Sequence, residues 1–310
     1  MSSMTSARRS QRILWAIYSI ALSLPITAVA QKIAFTFDDL PAHSSLPPGE
    51  TRLQVADKII AALQQAHLPP VYGFVNAIRL QEQPDTIRVI DAWRAAGYPL
   101  GNHSWSHMNL NEHTLQEFET DALHDEPVLQ REMGNEDWRW FRFPYLAEGD
   151  TPAKQVGIRA FLAQHGYKIA GVTMSFSDYA FNEPYARCST KGDMKAIAQL
   201  ETSYLAAADH SIDRYRQMSK TLYGRDIPYV LLMHLGAFDA RMLPRLLDLY
   251  RSHGFTFITL KEAENDEFYR EDTDLNLPPG ADTLEAAMAA RHLPLLQQTE
   301  QPINLEALCR

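Results

Sequence analysis

From Lys32 onward, short apolar runs alternate with stretches of helical periodicity. Lys32–Phe37 reads as a first strand, with Ile33, Ala34, Phe35 and Phe37 buried. Leu53, Ala56, Ile60 and Leu63 share one helical face over 51–66. Val71–Val75 reads as a second strand, and Pro84 opens a helix that ends near Gly97. Tyr98–Gly101 is a third strand, Thr114–Glu132 a polar helix and Trp138–Phe143 a fourth strand. Lys154–His165 is a helix closed by Gly166, and Tyr167–Met174 a fifth strand. Residues 193–220 form a longer helical region, broken once, and Tyr229–Met233 a sixth strand. Met242, Leu243, Leu246, Leu247 and Tyr250 mark a helix stopped by Gly254, and Phe255–Thr259 is a seventh strand.

Strands alternating with helices imply an α/β fold with a parallel sheet and right-handed crossovers. An open doubly wound sheet and a barrel both satisfy the pattern. No GxGxxG or GxxxxGK[ST] follows the first strand, which removes the usual sequence warrant for a nucleotide site. No linker divides 31–270, which reads as one catalytic domain, followed by a helical extension over 271–310.

The first thirty residues differ in kind. Arg8, Arg9 and Arg12 precede an uncharged apolar stretch from Ile13 to Ile26, and Ala28-Val29-Ala30 fits a small-x-small cleavage site. Residues 1–30 are therefore expected to be a signal peptide, with a periplasmic or secreted mature chain. An uncleaved anchor is the competing reading, but the stretch is short for a full span and contains Pro25. Loss of the three arginines takes the net charge from −9 to −12, which argues against a nucleic-acid partner. No later run is long enough to span a membrane, so no membrane partner is expected after cleavage. Outside the cytoplasm, the two cysteines, Cys188 and Cys309, have the option of one disulfide.

Polar residues recur just past strand ends: Asp38 and Asp39 after the first strand, and His103 and His107 after the third. Arg142 ends the fourth strand, Asp178 follows the fifth and His234 the sixth. In barrels and open α/β sheets alike, that edge carries ligands and catalysis. His103 and His107, spaced i, i+4, would face one way on a helical turn. HxxxH alone does not separate a metal site from two surface histidines. Asp39 as third ligand makes a His₂-carboxylate set that suits Zn²⁺, with Co²⁺, Mn²⁺ or Fe²⁺ as alternatives. A cation there would also offset the repulsion between adjacent carboxylates.

At these residues the chain resembles the polysaccharide deacetylase family, carbohydrate esterase family four. "TFDD", "HSWSH", "RFPY" and "LLMH" stand for four ordered motifs. The resemblance implies a distorted (β/α) barrel of about seven parallel strands and a divalent metal ion. It implies Asp38 as general base and Asp39, His103 and His107 as metal ligands. Arg142 would pair with the base through a bidentate contact, and the Tyr145 backbone N–H would bind the oxyanion. His234 would be the general acid, oriented by Asp178. Two departures fall near the substrate: "SFSDYAF" replaces the usual DxxDW, and Leu146 stands where glycine is common.

The implied reaction is removal of acetyl groups from N-acetylated or O-acetylated sugars, with an acetylated glycan as partner. Two other readings stay open: an inactive carbohydrate-binding or metal-binding protein of the same fold, and a hydrolase of a non-sugar C–N bond. Taken singly, each residue has a plainer explanation, such as a turn or cap for the aspartates or a core position for His234. Trp105, Trp138 and Trp140 read as core. Tyr179, Phe181 and Tyr185 fit either sugar stacking or core packing. The other eight histidines receive no role.

Overall fold

A computed structural model describes residues 31–280, 283–296 and 303–310. The expected signal peptide lies outside them. Seven parallel strands form the sheet: β1 (Gln31–Leu40), β2 (Tyr72–Val75), β3 (Leu100–Asn102), β4 (Trp140–Phe141), β5 (Lys168–Ile169), β6 (Tyr229–His234) and β7 (Phe255–Phe257). The order is β5-β4-β3-β2-β1-β6, with β7 pairing the first residues of β1. An isolated parallel bridge from Met174 to Leu231 joins the chain after β5 to β6. That bridge brings the two ends of the curled sheet together, so the fold is a distorted (β/α) barrel.

Helices surround it: α1 (Arg52–Gln65), α2 (Ile78–Glu82), α3 (Ile87–Ala95), α4 (Leu115–Met133), α5 (Pro152–Gln164), α6 (Asn182–Lys191), α7 (Met194–Tyr223), α8 (Ala237–Ser252), α9 (Leu260–Ala263), α10 (Arg270–Thr273) and α11 (Leu284–Ala290). Thr51 and Thr114 each close a capping box, with Gln54 and Glu117, at the starts of α1 and α4. The helix expected from Pro84 starts in fact at Ile87, after a short 3₁₀ turn over Pro84–Thr86.

Side chains of β1 alternate. Ile33, Phe35 and Phe37 join the large core between sheet and helices. Ala34 joins a smaller cluster with Tyr72, Phe74, Trp140, Ala170 and Val230. Thr36 and Asp38 share that second parity and are buried, so polar groups continue the interior layer towards the strand ends. Asp38 pairs in register with His234 of β6.

The fourth and fifth strands are shorter than their apolar runs, because Trp138, Phe143, Tyr167 and Val172 are buried without joining the ladder. Cys188 of α6 is bonded to Cys309. Arg187 donates to the carbonyls of Leu305, Glu306 and Leu308, which ties the C-terminal segment to α6.

Gly101 of β3 has no room for a Cβ, which would sit 2.8 Å from the Trp140 carbonyl oxygen and 2.6 Å from the Phe74 ring. Gly101→Ala should therefore cost about 1–3 kcal/mol through overpacking beside the site. The urea midpoint reads this, and an unchanged midpoint would refute the close packing of β3 on β4.

Candidate active site

Adjacent strand residues normally face opposite sides. Here Asp39 has φ 62°, and the β1–β2 register shifts between Phe37 and Leu40. The bend lets Asp38 and Asp39 line one cleft of about 510 Å³, with His43, His103, His107, Tyr145, Tyr179 and His234 among the other walls. Non-glycine residues in this region pay on the order of 1–3 kcal/mol, and Ser104, His107, Tyr145, Leu146 and Ser177 around the cleft take it too. Leu146 has φ 53°, a conformation that glycine enters without penalty. That accounts physically for the glycine expected at this position.

His103 and His107 are not on a helical turn. They lie in a loop, and the bends at Ser104 and His107 bring them together. The loop is held from beneath. Asn76 donates to the carbonyls of His103 and Ser104 at 2.6 and 2.9 Å. Asn102 accepts from the Ser104 N–H, and Asp121 accepts from the Ser106 N–H. The rings of His103 and His107 meet edge to face at 4.9 Å.

His103 Nδ1 lies 2.7 Å from the Arg142 carbonyl, which can only accept. Nδ1 is therefore the donor in that contact, and Nε2 is turned towards the carboxylates of Asp38 and Asp39. Asp39 Oδ1 is 3.6 Å from His103 Nε2 and 3.4 Å from His107 Nε2. It is buried without a hydrogen-bond partner. Ligands at zinc-type bond lengths around a tetrahedral ion stand about 3.4 Å apart. The donor atoms of Asp39, His103 and His107 all lie within 4.8 Å of one another. An orphaned carboxylate oxygen between two imidazole nitrogens fits a divalent cation.

Electrostatics agree. Burial and the neighbouring His103 pull His107 down to about 4, against the opposing pull of Asp39 and Asp38, so its ring is neutral near pH 7. Burial pushes the Asp39 carboxyl up. The His43 hydrogen bond and the fields of His234, His43 and His103 outweigh it and hold the group well below the usual range.

Arg142 is fully buried. Its Nη1 donates to both Asp38 oxygens, at 3.0 and 3.3 Å, while Nη2 donates to Thr36 Oγ1 and Nε to the Ala170 carbonyl. The expected two-nitrogen fork is thus a contact from a single nitrogen, because Thr36 occupies the other. The guanidinium lies over the Phe74 ring at 4.6 Å.

Asp178 accepts twice from His234: from its backbone N–H at 2.7 Å and from ring Nδ1 at 3.0 Å. Burial alone would lower the His234 pKa. The charge and hydrogen bond of Asp178, with Asp39 and Asp38, raise it to about 10. Behind Asp178, Asp239 accepts from Asn182 and Tyr204.

Trp138 and Trp140 are core residues, and Trp105 stacks on His124 at 4.0 Å. Phe181 is fully buried and packs on Tyr204 and Phe238, and Tyr185 packs on Phe238. Tyr179 and Tyr145 are exposed at the cleft, their rings 5.3 Å from His234 and 4.5 Å from His107. His43, given no role from sequence, stands in the cleft with Nδ1 2.7 Å from Asp39 Oδ2. Its place four residues after Asp39, across the Leu40-Pro41 turn, was the available signal.

The polysaccharide deacetylase family model matches residues 27–180. The chain belongs to this family, carbohydrate esterase family four. A search of the curated proteins found no match. Among solved structures, it is similar to the chitin deacetylase of Colletotrichum lindemuthianum, with 21% identity and a TM-score of 0.52 over 80% of this chain and 93% of that one. It is also similar to a family-four pseudoenzyme from Bacillus anthracis, with 13% identity and a TM-score of 0.52 over 76% of this chain and 65% of that one. A mutant of that pseudoenzyme with restored enzymatic activity aligns at 14% identity and a TM-score of 0.53, over 76% of this chain and 67% of that one. The chain thus spans about two thirds of the length of these two. At such identities the likenesses show the fold.

Arg142→Met leaves Asp38 buried without its cation and should cost about 3–5 kcal/mol. Adding Asp38→Asn should recover part of this, and equal loss in the single and double variants would refute the pairing. Asp178→Asn removes the charge that raises His234. If His234 supplies a proton, turnover falls as pH rises through its pKa, so the variant's alkaline limb should move down by about one unit or more. A bound divalent cation lowers both limbs alike. An unmoved limb in a pH–rate profile would remove His234 as the proton donor.

Proposed function

We propose that the chain is an exported, metal-dependent deacetylase of N-acetylated or O-acetylated sugars in a polysaccharide or oligosaccharide. One observation carries the reading. A cation-type donor set (Asp39, His103, His107), a carboxylate on a buried arginine (Asp38–Arg142) and a carboxylate-backed histidine (Asp178–His234) share one cleft at the strand ends. Asp39, His103 and His107 would hold a divalent ion, with zinc suited to two nitrogens and one oxygen. When bound, such an ion supplies Lewis acidity toward the acetyl carbonyl and acidifies water.

The chain's own groups supply the rest. Asp38, fixed by Arg142, accepts the proton of the attacking water. His234 has Nδ1 turned to Asp178 and its other nitrogen left for the cleft. As the cation it donates to the departing amine or alkoxide. The Tyr145 backbone N–H, on a bend at the cleft wall, is the proposed donor to the developing oxyanion. Products are acetate and the free amine or hydroxyl of the sugar. The exposed Tyr145 and Tyr179 rings offer faces on which a sugar ring can lie. No helix among the described residues is long and apolar enough to cross a membrane. Export rests on the arginine-led apolar leader of residues 1–30, before a catalytic domain over 31–270 and a C-terminal extension over 271–310.

The test pairs metal content with acetate release from N-acetylglucosamine oligomers and acetylated xylan. About one equivalent of zinc and EDTA-sensitive release are expected. Asp38→Asn should keep the metal and lose roughly 10²–10⁴-fold in turnover. Metal uptake without release from any acetylated glycan would leave a binding protein of this fold, and no uptake would end the metal reading.

A further inference from the structure

His43 has no part in the chemistry above, yet it is built into the cleft. Its side chain is 16% exposed. A carboxylate can only accept, so His43 Nδ1 is the donor in its 2.7 Å contact with Asp39 Oδ2. That contact occupies Oδ2. The other oxygen, Oδ1, faces His103 and His107 and has no other partner.

The backbone that carries His43 is anchored as well. The Ala42 N–H donates to the Asp39 carbonyl at 2.9 Å, closing the turn between the two residues. Arg52 of α1 donates from Nη1 to the His43 carbonyl at 2.7 Å and from Nη2 to the Ser44 carbonyl at 2.5 Å. The Ser45 N–H donates to Glu183 Oε1 of α6 at 2.7 Å. The ring itself packs against His234, with centroids 4.8 Å apart. A surface histidine on a free loop would have none of these supports.

Without the His43 contact, neither oxygen of this carboxylate would be held by a side chain, and the group would be free to turn about its last bond. We propose that His43 is a positioning residue: its Nδ1–H holds the Asp39 carboxylate with Oδ1 towards His103 and His107, so that a divalent cation meets one defined oxygen. This inference rests on the metal reading above. Hydrogen-bond partners one shell out from metal ligands typically contribute 10–100-fold to metal affinity.

The experiment titrates zinc, against a competing chelator, into metal-stripped full-length protein. Four chains are compared: wild type, His43→Ala, His43→Phe and His43→Asn. Phenylalanine keeps the ring volume beside His234 and removes the donor. Asparagine loses the ring and keeps an N–H near the Nδ1 position. Circular dichroism identifies the variants that fold, and His43→Phe stands in should His43→Ala not fold. Zinc affinity should fall about 10–100-fold in the donor-less variants and stay within about threefold of wild type in His43→Asn. A folded donor-less variant that binds zinc as tightly as wild type overturns the proposal and leaves the metal reading intact. Equal losses in His43→Asn and His43→Ala overturn the hydrogen-bond account. A wild-type chain that takes up no zinc overturns both the proposal and the reading beneath it.

Discussion

The interior of this barrel is organised by one buried ion pair. Arg142 and Asp38 have almost no solvent exposure, and a charge so placed is costly unless its hydrogen-bonding capacity is met. Arg142 meets it in three directions. Nε reaches the Ala170 carbonyl beside β5, Nη1 reaches Asp38, and Nη2 reaches Thr36, while Phe74 of β2 lies under the plane. One side chain therefore links β1, β2, β4 and the chain after β5. A hydrophobic filling of equal volume would serve stability as well or better. What the ion pair adds is a carboxylate at a fixed height, level in register with His234 of β6.

The second constraint is the bend at Asp39. In a regular strand, Asp38 and Asp39 would point to opposite faces, and only one could serve the cleft. The left-handed conformation at Asp39 gives up backbone comfort so that both can. Their mutual repulsion is met separately. Asp38 has Arg142, whereas Asp39 has His43 on one oxygen and the His103–His107 pair beside the other. The adjacency of the two acids in "FTFDDL" is thus a matter of two different partners reached by two different elements.

What could be read from the sequence follows from the range of the forces involved. Apolar periodicity is local, so β1, β6 and most helices fall where hydrophobic spacing places them. The polar residues at strand ends were also visible, because they recur at one edge of the sheet, although each taken singly has a plainer explanation. Loop conformation was not visible. His103 and His107 converge through bends at Ser104 and His107 and through hydrogen bonds donated by Asn76 and accepted by Asp121, partners distant in sequence. Helical spacing pointed to two histidines that do converge, but a loop and not a helical turn brings them together. The fourth and fifth strands were overestimated for a related cause. Trp138, Phe143, Tyr167 and Val172 are buried by tertiary contact without joining the ladder, and composition cannot separate the two. His43 escaped because its value lies in a hydrogen bond across a turn rather than in any pattern.

The cleft also shows how identical side chains come to hold opposite charge states. His107 and His234 are both imidazoles close to Asp38 and Asp39, and burial opposes the charged form of each. At His107, burial and the neighbouring His103 win, and the ring stays neutral with a lone pair to offer. At His234, Asp178 sits behind the ring with one oxygen on Nδ1 and the other on the backbone N–H, so the carboxylate cannot swing away. A charge fixed in that position reverses the effect of burial. The difference between a neutral and a charged imidazole is therefore set by one fully buried aspartate, which the fold keeps beside His234.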